Sequence, residues 1–153
     1  MSLFRGVNQI NLDAKGRFAM PTRYRERLLD RSEGQLVVTI DPEERCLLIY
    51  PLTDWEEIEQ KIEALPSFNK AAKRVKRLLI GHATDLELDG SGRVLLPPQL
   101  REHAELDKKV VLIGQGKKFE LWSEDHWNRS RELWLENEGD DENMPDELLS
   151  LSL

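Results

Sequence analysis

The chain is 153 residues long with a formal net charge of −7, and a third of its residues are charged. Its single cysteine excludes an intrachain disulfide framework, no apolar stretch approaches the length of a membrane span, and no signal-peptide core opens the N-terminus, so a soluble cytoplasmic protein is expected. Residues 136–153 hold seven acidic residues and no Lys or Arg, which leaves 22 residues of each sign over 1–135. Residues 1–31 carry seven basic against three acidic residues, and 70–77 carry five against none. Such local patches, rather than the net charge, are where a nucleic-acid partner would be sought.

Residues 9–12 and 18–20 read as short strands around a turn at Asp13-Ala14-Lys15-Gly16. An Asp in a turn can bond backbone two residues on, and a Gly supplies positive φ. Pro21 opens a helix carrying Tyr24, Leu28 and Leu29. Residues 36–40 and 47–50 form a hairpin around Asp41-Pro42-Glu43-Glu44. Thr53-Asp54-Trp55-Glu56 resembles a capping box, and Trp55, Ile58, Ile62 and Leu65 share one face of the helix that follows. Pro66 breaks that helix, and 69–80 form another with an apolar stripe of Ala72, Val75 and Leu79.

The first half's order then returns. Leu12, Asp13, Gly16, Arg17 and Pro21 recur as Leu88, Asp89, Gly92, Arg93 and Pro97, each 76 positions later, and Arg25 recurs as Arg101. The turn, the Pro-led helix and a hairpin (110–113 and 119–122, closed by Gly114-Gln115-Gly116) follow in the same sequence. Ser123 caps a last helix carrying Trp127, Arg131 and Trp134. An internal repeat of this kind fixes architecture before any local motif does. Short apolar strands of one repeat cannot bury both faces alone, so the halves are expected to interleave into one closed β-core with pseudo-twofold symmetry.

The chemistry-bearing residues are the two Asp-x-x-x-Arg turns. Arginine forks on rigid turns suit phosphates or guanine edges, with Asp13 and Asp89 holding the turn or the Arg. An exposed Asp–Arg pair that only steadies a turn is the plain alternative. With Lys15 beside Arg17, and Arg5, Arg23, Arg25 and Arg27 close in sequence, the first copy is the more basic; the second has Ser91 in place of Lys15. The basic run at 70–77 reads first as a solvated helix face and second as a phosphate contact. Cys46 lies in an apolar run as a small buried hydrophobe. His82, His103 and His126 have no second ligand at metal-type spacing. No catalytic, cofactor or metal site and no small-molecule substrate is expected.

The paired turns, the opening Phe4-Arg5-Gly6, the block Arg77-Leu78-Leu79-Ile80-Gly81-His82-Ala83 and the block Lys118-Phe119-Glu120-Leu121-Trp122 together resemble the MraZ family of bacterial transcriptional regulators. The resemblance covers the chain from Phe4 to the acidic tail. It implies an α+β fold of two tandem AbrB-like swapped-hairpin repeats, interleaved into one small β-barrel-like core with flanking helices. The corresponding division is 1–53 for the first repeat, 54–83 for a helical connector, 84–135 for the second repeat with its C-terminal helix, and 136–153 for an acidic tail expected to be disordered. The family also implies binding to double-stranded DNA with short direct repeats upstream of the division and cell-wall gene cluster, usually as a repressor. A ring-shaped homo-oligomer associated with the nucleoid is implied as well. Carried onto this chain, the loop residues are Asp13, Lys15 and Arg17, with Asp89 and Arg93 as their second-half counterparts; Arg5 joins them from the basic N-terminal segment as a phosphate contact. The rival reading is an oligomeric scaffold whose basic loops make salt bridges between subunits.

Overall fold

Strand β1 (Phe4–Asn11) is longer than the weakly apolar segment Arg5-Gly6-Val7-Asn8 suggests, because every residue of it is matched antiparallel to β7 (Lys109–Gly116) of the other half. In this computed structural model, which describes residues 3–137 and 145–151, the rest of the first half is β2 (Arg17–Ala19), α1 (Thr22–Ser32), β3 (Gln35–Ile40) and β4 (Leu47–Pro51). The connector is α2 (Leu52–Glu63), α3 (Lys70–Val75) and a π-helical turn, Lys76–Ile80. The second half is β5 (Thr84–Glu87), β6 (Arg93–Leu95), α4 (Pro98–His103), β7, β8 (Lys118–Ser123) and α5 (Glu124–Glu136). A single helical turn, α6 (Asp146–Leu149), follows. Part of the tail is therefore helical where disorder was expected, and its residues 138–144 and 152–153 lie outside the described residues.

The strands form one six-stranded antiparallel sheet in the order β1-β7-β8-β4-β3-β5 and a separate two-stranded ribbon, β2-β6. The exchange between halves is reciprocal. Asn11 faces Lys109 and Ile10 faces Val110, as Glu87 faces Gln35 and Leu86 faces Leu36. At the centre of the ribbon Phe18 faces Val94, its own counterpart 76 residues on. The pseudo-twofold axis thus passes between these two residues, and the α+β swapped-hairpin architecture follows. Among the described residues β1 and β5 do not pair, so closure comes from the ribbon packing against both ends of the sheet.

The main core draws on both halves. Phe4 and Tyr24 of the first half pack on Phe119 of the second, with ring centroids 4.4 and 5.0 Å away, and all three are almost wholly buried. The Tyr24 hydroxyl donates to the Arg5 carbonyl at 2.5 Å, so its polar end is satisfied at the sheet edge. On the opposite face of the sheet Val37, Leu48, Tyr50, Trp55 and Trp122 form a second cluster under α2, the π turn and α5.

Three local expectations are corrected. Helix α2 begins at Leu52 with no side-chain cap: the Thr53 hydroxyl donates instead to the Arg31 carbonyl, and Asp54 takes a forked pair from Arg31 at 2.7 and 3.0 Å. The helix expected over 69–80 does start at Asn69, whose side chain accepts from the Ala71 and Ala72 N–H groups, but it widens after Val75. There the Gly81 N–H bonds back to the Lys76 carbonyl, and Thr39, buried on β3, donates to the Leu79 carbonyl at 2.7 Å. The second hairpin is tighter than Gly114-Gln115-Gly116 implied: Gln115 still pairs with Lys118, which leaves a two-residue turn led by Gly116 at φ 81°. Ser123 caps α5 as expected, accepting from the His126 N–H.

Candidate nucleic-acid interface

Each Asp-x-x-x-Arg turn is built by its aspartate. Asp13 Oδ1 accepts from the Lys15 and Arg17 N–H groups, both at 2.9 Å, and its Oδ2 accepts from Arg17 Nε at 2.8 Å. The turn is closed by backbone bonds from Gly16 N to the Asp13 carbonyl and from Asp13 N to the Arg17 carbonyl. Asp89 repeats every one of these bonds with Ser91, Arg93 and Gly92. In both, the arginine is held only through Nε. Among the described residues its two terminal amino groups make no hydrogen bond, so the guanidinium is oriented without being consumed.

The Arg17 backbone N–H, followed by its guanidinium, holds the Asp13 carboxyl below the usual carboxylate range, and the N–H groups of Arg93 and Ser91 do the same for Asp89. Since each folded value lies beneath the ordinary 3.8, the stabilisation of the turns is fully present above that pH and disappears as pH falls through the lowered values. Carbon-detected NMR titration is expected to give both carboxyls midpoints below 3.8, with loss of the Lys15, Arg17, Ser91 and Arg93 amide shifts on protonation. Unshifted midpoints would mean that the turns do not hold in solution.

The ribbon brings the two turns together. Side chains alternate across a strand: Phe18 and Val94 point into the core, at 1 % and 0 % exposure, so Arg17, Ala19, Arg93 and Leu95 face outward. Arg17 stands opposite Leu95 and Arg93 opposite Ala19, which makes the two arginines diagonal neighbours about 7–8 Å apart on one face. Two forks of opposite sense therefore share a single solvent-facing surface around the pseudo-twofold axis. The Lys15 side chain is exposed beside this surface.

Arg5 is not brought to it. Arg5 lies six positions before Asn11 along extended β1, about 20 Å of strand. Neither do the neighbouring basic residues gather at the first turn as their sequence positions suggested. Arg23 bonds Asn8 and Tyr24 beside β1, Arg27 donates to the Leu3 carbonyl, and Arg25 lies against Gly92 of the second turn. The residues that do flank the first turn come from the second half: Arg101, against Gly16, and Lys108, which with Leu12, Asp13, Ala14, Leu106 and Asp107 line a concavity of about 470 Å³. The counterpart beside the second turn is about 200 Å³ and lined by Arg25, Leu29, Leu88 and residues 89–92. Each concavity holds two leucines, but among the described residues no lysine lines the second. The recurrence of Arg25 as Arg101 was the available signal, but assigning each to the opposite turn requires knowing that the halves are swapped.

Two other groupings were invisible in sequence. His82 and His103 lie with ring centroids 6.5 Å apart. Asp41, Cys46 and Glu120 bring their side-chain ligand atoms within 4.8 Å of one another. Burial, then the neighbouring carboxylates, push the Cys46 thiol far above its usual range, and it donates to Asp41 Oδ2 at 3.8 Å as a protonated group.

The family model described as "MraZ protein, putative antitoxin-like" matches this chain twice, over residues 3–78 and 79–144. A protein of Halorhodospira halophila named "Transcriptional regulator MraZ" is 59% identical over 152 residues, covering 99% of this chain and 100% of its own. One of the same name from Coxiella burnetii is 60% identical over 154 residues with the same coverage. Another from Pseudomonas fluorescens is 57% identical over 151 residues, again covering 99% of this chain and all of the relative.

Proposed function

The chain belongs to the MraZ family, and from that premise we propose that it is a transcriptional regulator that binds double-stranded DNA through the outward face of the β2-β6 ribbon. Regulation, not catalysis, is the class its relatives' names carry. The observation that carries the reading is the pair of Asp-clamped arginines, Arg17 and Arg93, whose terminal amino groups are unengaged among the described residues on one exposed surface. A fixed guanidinium fork matches phosphate oxygens or the O6 and N7 edge of guanine. Lys15 adds a mobile charge suited to phosphate.

The finer reading is that the protein represses transcription by recognising short direct repeats upstream of the division and cell-wall gene cluster, acting on the nucleoid in the cytoplasm as a ring-shaped homo-oligomer. A head-to-tail interface that closes gives a ring, and linked subunits convert one modest contact each into tight binding by raising the local concentration of the next. Repeats on straight DNA cannot all meet a curved array, so either the DNA bends or the ring opens. Arg5, distant from the ribbon, contributes in this picture only where the DNA path extends past β1.

Gel-shift titration against repeat-bearing and scrambled duplexes tests the reading. The repeat-bearing duplex is expected to bind far tighter, and log affinity to fall against log salt by about 0.9 per neutralised phosphate. Equal affinity for both duplexes rejects specific regulation. The scaffold alternative draws on Leu133, Trp134 and Leu135 of α5, which are 65%, 48% and 62% exposed; it predicts assembly with no preference among duplexes.

A further inference from the structure

Each turn ends in a glycine that the opposite half grips on two sides. The Gly16 carbonyl accepts from the Leu96 N–H at 3.0 Å, and the Gly92 carbonyl accepts from the Met20 N–H at 2.9 Å. The same two residues anchor an arginine. Arg101 Nε donates to the Leu96 carbonyl at 3.3 Å, and Arg25 Nε donates to the Met20 carbonyl at 2.7 Å. From those anchors the guanidinium of Arg101 lies flat in the space that a Cβ on Gly16 would fill, and that of Arg25 fills the same space at Gly92. Both glycines have positive φ, 87° and 75°, so no other residue combines the backbone shape with the room for the guanidinium.

We propose that Arg25 and Arg101 are crossed positioning residues: Arg101 sets the geometry of the Asp13–Arg17 turn and Arg25 that of the Asp89–Arg93 turn, each acting on the half it does not belong to. The physical reason is that a five-residue turn closed by its own bonds is still free to tilt as a unit. The bond to the glycine carbonyl and the guanidinium laid over the glycine fix that tilt relative to the ribbon, and with it the direction in which Arg17 or Arg93 projects. The two arginines also lock the halves together, since each bridges a carbonyl of its own half to the turn of the other.

The part of this that concerns DNA rests on the reading given under Proposed function; the crossed positioning does not. Arg101→Ala and Arg25→Ala are compared by amide hydrogen exchange in the full-length protein without DNA. Arg101→Ala is expected to speed exchange at Lys15 and Arg17 by about tenfold and to leave Ser91 and Arg93 unchanged, with Arg25→Ala giving the reverse. Arg101→Lys keeps the charge, loses the flat fork, and is expected to behave like Arg101→Ala. A change in the turn of the same half, an equal change in both turns, no change at all, or full protection with Arg101→Lys each overturns the proposal.

Affinity for a repeat-bearing duplex then separates positioning from contact. Arg101→Ala is expected to weaken binding about tenfold in the otherwise native chain and to have no further effect in an Arg17→Ala background, because it acts through Arg17. A further loss in that background makes Arg101 a DNA contact in its own right and removes the positioning role. Should native protein bind repeat-bearing and scrambled duplexes alike while the crossed exchange pattern persists, the DNA reading fails and the positioning stands.

Discussion

Arg17→Ala is expected to weaken binding to a repeat-bearing duplex by roughly 10- to 100-fold per contacted site, with the unfolding midpoint and the oligomeric state close to those of the native protein. The separation of effects follows from the geometry. Asp13 holds the turn through the backbone N–H groups of Lys15 and Arg17, which the substitution leaves in place. Only the Nε bond is lost, and an exposed pair of this kind contributes little to stability. Arg17→Lys is not expected to rescue binding, since an ammonium cannot reproduce a planar fork. Arg93→Ala is expected to cost less, because the second turn offers Ser91 where the first has Lys15, and among the described residues no lysine lines the concavity beside it as Lys108 lines the first. Undiminished binding by Arg17→Ala in a gel-shift titration would remove the ribbon face from the mechanism.

This asymmetry was legible in the sequence only in part. Lys15 against Ser91 can be read directly, but Lys108 reaches the first turn only because β7 pairs with β1. The repeat itself, the order of elements and the turn chemistry of Asp13 and Asp89 were all readable, because Asx turns, Pro-led helices and apolar strands are local signals. What failed was local reading of residues whose partners lie across the swap. Arg25 was grouped with Arg17 by proximity and belongs with Gly92. Thr53 and Asp54 suggested a helix cap and are taken instead by Arg31 of α1. The segment Arg5-Gly6-Val7-Asn8, with one apolar side chain in four, hid the first part of β1, since an edge strand matched to a buried neighbour needs little apolar character of its own. The π turn at Lys76–Ile80 had no sequence mark, and the buried Thr39 that bonds it was read simply as part of a strand.

The swap makes the largest stability prediction. Phe119→Ala is expected to destabilise the protein by about 3–5 kcal/mol, lowering Tm on the order of 10 °C, because the ring is fully buried between Phe4 and Tyr24 of the other half. The loss should fall on the whole chain in a single transition. Within the described residues β1 has no strand partner but β7, β2 none but β6, and β5 none but β3. Neither half can therefore satisfy its backbone or cover its aromatic residues alone. The proposed boundaries 1–53 and 84–135 accordingly divide the repeat without dividing the folding unit. Expressed separately, chains 1–83 and 84–153 are expected to show no cooperative unfolding, and to regain it when mixed, since every cross-half ladder can form between two chains as well as within one. Calorimetry and circular dichroism on the native protein, Phe119→Ala and the two fragments decide the matter. Two resolved transitions in the native protein, or a cooperative transition in one isolated half, would show that the halves fold independently and that the ribbon face, with both its arginines, is assembled only by their later docking.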